Sequence, residues 1–235
     1  MTLSKELNER SPLRILERSI HGGLGRGKIG VVCSGPGVGK TAFLVGVALD
    51  YLMRGKQVLH ISIDHSLDRI RNYYDEIFAE LVAAENLEDA AEVRVLIERN
   101  RRIHTFNEGA FDIPSLQRSM AFMRDHADMQ PALMIVDRYN WDGTTDDDMA
   151  TLQSLAREFE AEMWISVPSP QGWEAKDAHD YPDSIARVEN WIDVVLQLKT
   201  ADRTVHVNIL KDHDNPEPTS TGLDLDPTRL LIVRG

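Results

Sequence analysis

The run Ser34-Gly35-Pro36-Gly37-Val38-Gly39-Lys40-Thr41 sets glycines, a lysine and a hydroxyl residue between an apolar strand-like stretch and an apolar helix-like one. That composition suits a polyphosphate. Glycines let the backbone turn successive N–H groups inward around a phosphate, and the start of the following helix adds the positive end of its dipole. Lys40 then reaches the β- and γ-phosphates, and the Thr41 hydroxyl ligates Mg2+. The expected phosphate-binding set is Ser34, Gly35, Pro36, Gly37, Val38, Gly39, Lys40, Thr41 and Ala42, with Ser34 standing where the usual pattern has its first glycine. An ordinary glycine turn has no need for strand, Lys-Thr pair and helix to coincide.

Asp137 directly follows the apolar run Ala132–Val136. A carboxylate at a strand end beside such a loop holds Mg2+ through water, so Thr41 and Asp137 are the expected metal pair. Other constellations carry less. Glu174, Asp177, His179, Asp180 and Asp183 have no spacing that fixes a geometry and read as a solvated loop. Asp146-Asp147-Asp148 reads as charge at a helix start. The histidines include no His-x-x-x-His pair, so no zinc site is expected. Cys33 falls in an apolar strand and reads as packing, and Trp141, Trp164, Trp173 and Trp191 are too scattered for a base-stacking run.

The elements that must position these groups follow from pattern. Ile29–Cys33, Gln57–Ile63, Arg102–Phe106, Ala132–Val136 and Met163–Val167 read as strands. Between them lie helical patterns: Ala42–Met53, apolar on nearly every face, a stripe of Ile70, Tyr73, Tyr74, Ile77, Phe78 and Leu81 capped by Ser66, a polar helix over 86–100, a helix with Pro114 in its first turn, and one striped by Met149, Leu152, Leu155, Ala156 and Phe159. Residues 168–183 read as a long loop. Trp191–Leu198, Val205–Leu210 and Arg229–Val233 read as β structure. Alternation followed by strands argues for an α/β fold, a mostly parallel sheet flanked by helices with a C-terminal antiparallel extension. One domain over 1–235 is expected, with residues 1–20 as an N-terminal segment docked by Ile15, Leu16 and Ile20.

Composition sets the outer bounds. The chain has 235 residues, 42% hydrophobic and 27% charged, enough apolar content for a sizeable core and too much for a disordered chain. Lys+Arg is 26 against Asp+Glu 38, a net charge of −12, where a nucleic-acid coat or anionic-membrane binder would be basic. The single cysteine allows no intrachain disulfide, and Met1–Asn8 lacks the apolar core of a secretory leader. The longest apolar run, Ala42–Met53, is too short to span a membrane. A cytoplasmic protein with no membrane partner is expected.

The chain resembles the RecA-like P-loop ATPases, and most closely their KaiC-like branch, from about Pro12 to the C-terminus. The resemblance rests on Ser34–Thr41, on the lead-in Ser19-Ile20-His21-Gly22-Gly23-Leu24-Gly25-Arg26-Gly27, on Ile61-Ser62-Ile63-Asp64-His65-Ser66, and on Val205–Val233 with Lys211-Asp212-His213. It implies ATP and Mg2+ as ligands, a homo-oligomer (ring or dimer), and a partner protein whose identity it does not give. By the same resemblance Asp64, with His65, would position the attacking water, Gln171 would sense the γ-phosphate, and Lys211 and His213 would reach a neighbour's nucleotide. Three departures stand out. Asp64 and His65 replace the family's glutamates; histidine can serve as a base when neutral. His213 replaces an arginine and lacks its planar fork. Arg138 follows Asp137 where relatives carry a small hydroxyl residue. The departures imply slow hydrolysis and a nucleotide-controlled regulatory assembly, or a binding-only scaffold. A recombinase-like filament on single-stranded DNA conflicts with the acidity, and a P-loop kinase of a small molecule would want an arginine-bearing lid.

Overall fold

Strands that are apolar at every position must be covered on both faces. A computed structural model, which describes residues 11–127 and 129–235, meets that demand with one open sheet between two helical layers. The first ten residues of the expected docking segment lie outside the described residues. Among the described residues the strands are β1 (Ile29–Ser34), β2 (Val58–Ile63), β3 (Arg101–Phe106), β4 (Leu133–Asp137), β5 (Glu162–Pro168), β6 (Val194–Ala201), β7 (Thr204–Asp212), β8 (Leu223–Leu225) and β9 (Ile232–Arg234). They lie side by side in the order β3-β2-β4-β5-β1-β6-β7-β8-β9. From β3 to β6 every pairing is parallel; from β6 onward every pairing is antiparallel.

The helices are α1 (Leu13–Ser19), α2 (Lys40–Met53), α3 (Leu67–Glu85), α4 (Ala90–Asn100), α5 (Ile113–Ala127), α6 (Asp146–Glu158) and α7 (Asp183–Ala186). Alternation along the strands sorts the core into two clusters. Val32, Ile135 and Trp164 face α2 and its neighbours α1 and α3. Val31, Cys33, Val136 and Ile165 face the layer of α5 and α6. α2 is apolar nearly all round because it is enclosed by the sheet, α3, α4 and the C-terminal strands. Ser66 caps α3 by accepting from the Arg69 N–H at 3.3 Å, and Thr145 and Asp148 form a reciprocal capping box at the start of α6. The Asp146–Asp148 run therefore sits in a helix first turn. No helix among the described residues is long and apolar enough to cross a membrane.

The C-terminal third departs from the sequence pattern in detail. Glu189–Trp191 forms a 3-10 turn, so β6 starts only at Val194. Arg229 does not begin a strand, because the Asp226 carboxylate accepts from the Thr228 and Arg229 N–H groups and holds a turn there. The short β8 has no signal strong enough to have been expected. β7 to β9 then cover the flank of α2, with Leu223 and Leu225 in its core.

Gly30 shows how tightly β1 is seated. It lies between β5 and β6, in register with Trp164, whose ring crosses directly over it. A Cβ built there would come within 2.6 Å of the indole. Gly30→Ala should therefore destabilise the fold by about 1–3 kcal/mol, the cost of overpacking a closed core. A lowered urea midpoint at unchanged slope is the expected result.

Candidate functional site

Parallel strands end together, and the loops after them converge. At the carboxyl edge of the sheet the ends of β1, β2, β4 and β5 surround a cleft of about 880 Å3, the usual place for a ligand in an open α/β sheet. Its floor is the loop from Gly35 to Gly39 and the first turn of α2. Gly37 and Gly39 have φ of 75° and 120°, a region L side chains rarely adopt. A Cβ at Gly39 would strike Leu225 at 2.6 Å, whereas one at Gly37 would meet open space. Gly39 is the N-cap of α2 and supplies no side-chain cap. The first-turn N–H groups of Lys40, Thr41 and Ala42 thus have no intrahelical acceptor, and the positive end of the helix dipole opens on the cleft.

The Lys40 ammonium folds back onto the loop and donates to Ser34 O at 2.7 Å, Gly35 O at 3.0 Å and Ser34 Oγ at 3.1 Å. Burial holds it below the ordinary lysine range, opposed by the charge of Asp137. The Thr41 hydroxyl donates to Asp137 Oδ2 at 2.7 Å, joining the start of α2 to the end of β4. Asp137 is 1% exposed. Ser34, Gly35 and Val38 shape the loop, whereas Pro36, Gly37, Gly39, Lys40, Thr41 and Ala42 line the cleft.

The far wall of the cleft comes from β2, α3, the loop after β4 and α7. His65 lines it, and its Nδ1 is buried without a hydrogen-bond partner. Burial first, then the positive charges of Arg138 and Arg69, hold the imidazole below its ordinary value of 6.5. The site therefore favours the neutral imidazole. Asp64 does not itself line the cleft; it is about half exposed, with Oδ2 3.5 Å from the guanidinium of Arg138, which does. Trp141 Nε1 donates to Ser166 O at 3.0 Å, and Arg187 donates to Trp141 O at 3.4 Å, which fixes the loop after β4 against β5.

The remaining expected residues lie elsewhere. Gln171 is exposed on the turn beyond Pro170 and does not line the cleft; Ser166 and Ser169 do. Lys211 and His213 sit at the end of β7, in register with the start of β6 and hence with the amino edge of β1. His213 N donates to Asp193 O, level with the entry to β1, so about 17 Å of strand separates it from the loop. Both imidazole nitrogens of His213 are engaged, with Asp212 Oδ1 at 2.9 Å and Leu24 O at 3.0 Å, and Lys211 donates to Glu189 O at 2.7 Å. Burial works to raise the Asp212 carboxyl, but hydrogen bonds with His213, Asn215 and His21 outweigh it and hold it low. Within one chain this pair cannot reach the cleft. Cys33 is fully buried and its thiol is pushed up to about 12 by that burial, so it packs and does not react.

Sequence pattern did not point to Arg187, Leu230 or Trp141 as cleft residues; Arg138, beside Asp137, was the nearest thing to a signal. No known-family model matches the chain, and no curated protein sequence matches it.

The His65 environment makes one test direct. Its NMR titration should lie below 6.5 in the native protein. Arg138→Ala, which removes a repelling positive charge, should move it upward; a midpoint that does not respond would contradict the placement of the two residues.

Proposed function

We propose that this chain is a RecA-like, KaiC-like ATP-binding module that hydrolyses ATP slowly in the presence of Mg2+ and acts as a nucleotide-controlled regulatory switch. The observation that carries the proposal is the uncapped start of α2 with Lys40 beside it and Thr41 bonded to Asp137. The loop and the N–H groups of Lys40, Thr41 and Ala42 would take the β-phosphate, and Lys40 would leave its carbonyl partners for the β- and γ-phosphates. Two hard oxygen donors, Thr41 Oγ1 and Asp137, suit Mg2+. The described residues hold no cluster of three or more metal-ligating side chains, and a magnesium ion here would draw its other ligands from phosphate and water. Mg2+ would supply charge neutralisation on the phosphates.

Hydrolysis joins a water oxygen to the γ-phosphorus while the bond to the β–γ bridging oxygen breaks and ADP departs with the electron pair. His65, which lines the cleft and whose imidazole favours the neutral form, would be the group to receive the water proton. Among the described residues no glutamate lines the cleft, which supports slow turnover. Lys40→Ala should weaken ATP binding by about tenfold to a hundredfold, the worth of a charge-assisted hydrogen bond or two. Calorimetry on the folded variant checks this, and unchanged affinity would sink the site.

A second reading, a scaffold that binds ATP and barely hydrolyses it, is favoured by the engagement of Asp64 with Arg138 and by the missing glutamate. Under it, His65→Glu should raise turnover sharply, measured as phosphate release. No change would count against the carboxylate deficit as the cause. Association into a ring or dimer remains part of the proposal as the regulated form; there Lys211 and His213 could meet only a neighbour's nucleotide, and the slow turnover of a single copy does not call on them.

A further inference from the structure

Four cations border the cleft: Lys40, Arg69, Arg138 and Arg187. Lys40 belongs to the loop. Arg187 is tied to the carbonyl of Trp141. Arg138 is different in three respects. It is the residue directly after Asp137, so its backbone is fixed one step from Thr41 Oγ1. Its φ of 63° is left-handed, a costly conformation for a residue with a long side chain, and its N–H donates to the buried Ser166 Oγ at 2.7 Å, which holds it there. Its guanidinium has a single ionic partner among the described residues, Asp64, at 3.5 Å, and both side chains are about half exposed.

That pair is a poor stabiliser. An ion pair so long and so solvated contributes little to folding, so the strained backbone is not justified by it. It is, however, easily broken. Asp64 itself has φ 64° and is pinned by its N–H donating to Phe106 O at 2.8 Å. Two neighbouring strand ends, β2 and β4, thus each hold a charged residue in a left-handed turn, Arg138 lining the cleft and Asp64 beside it. Arg138 lines the same cleft as Lys40 on the loop side and His65 on the far wall.

We infer that Arg138 is an in-cis arginine for the γ-phosphate: on ATP binding its guanidinium exchanges Asp64 for the terminal phosphate oxygens, and Asp64 is released toward the attacking water. This rests on the ATP reading above and adds to it a sensor of the terminal phosphate. A planar guanidinium matches two phosphate oxygens at once, which a half-solvated carboxylate 3.5 Å away does not rival. ADP lacks the group that Arg138 would take, so its binding leaves the Arg138–Asp64 pair in place. Charge that develops on the transferring phosphoryl group is then met by the chain's own cation, and the site needs no arginine from a neighbour.

The test compares ATP and ADP affinity by calorimetry and phosphate release at several protein dilutions, for the wild-type chain, Arg138→Ala and Arg138→Gln. The expected results are ATP affinity lower by about tenfold in both variants with ADP affinity unchanged, turnover lower by about a hundredfold, and wild-type specific activity constant on dilution. The glutamine variant keeps a polar side chain without the charge and guards against misfolding of the alanine one. Wild-type discrimination between ATP and ADP in either folded variant would overturn the inference. So would specific activity that vanishes on dilution, because the completing cation would then come from another copy. If the wild-type chain binds neither nucleotide, the ATP reading itself fails and takes this inference with it; if it binds both and only the variants behave as wild type, the inference fails alone.

Discussion

The hydrogen bond from Thr41 to Asp137 joins the first turn of α2 to the last residue of β4, two segments that meet only because the intervening chain folds into parallel strands. Everything at the carboxyl edge depends on that meeting. It requires β1 and β4 to end near one another, which the registers of β5 against both provide: Asp137 is level with Val32, two residues before β1 ends at Ser34. It requires α2 to lie flat on the sheet, which its apolar surface enforces. The cleft is what remains when four strands stop together and their loops diverge to either side.

That constraint also explains the unusual backbone at the site. The residues following β2 and β4, Asp64 and Arg138, both turn left-handed immediately after leaving the sheet. Each is held by one hydrogen bond to the adjacent part of the sheet edge, Phe106 O for the first and Ser166 Oγ for the second. Local strain of this kind survives only where surrounding structure imposes it. Here the imposing structure is the sheet itself, since Ser166 and Phe106 are strand residues.

Much of this was legible in residue order, and the reason is locality. The glycine loop, the helix after it and the aspartate at the end of an apolar strand are each written in one short run of consecutive residues. The alternation that makes the sheet parallel first and antiparallel later is legible too, as a succession of such short runs. The far wall of the cleft was not legible, because Trp141, Arg187 and Leu230 come from loops that no short pattern relates. Gln171 has the right chemistry but projects from a turn outside the cleft. His213 lies at the opposite edge of the sheet, its nitrogens engaged by Asp212 and Leu24, so it takes no part in its own chain's cleft. Type and spacing describe what a side chain can do; only topology decides which end of a strand it occupies.

An open sheet also has two flanks, and each is a template on which a foreign strand could grow. β3 closes one flank with Arg101 and Arg102, whose guanidinium groups bond to Glu98 and to the carbonyls of Arg99 and Arg101. β9 closes the other with only three residues, Ile232–Arg234. Charge on one side and brevity on the other both disfavour edge-to-edge polymerisation. Copies of this chain that come together are thereby steered away from strand addition, and an acidic surface keeps indiscriminate clustering in check.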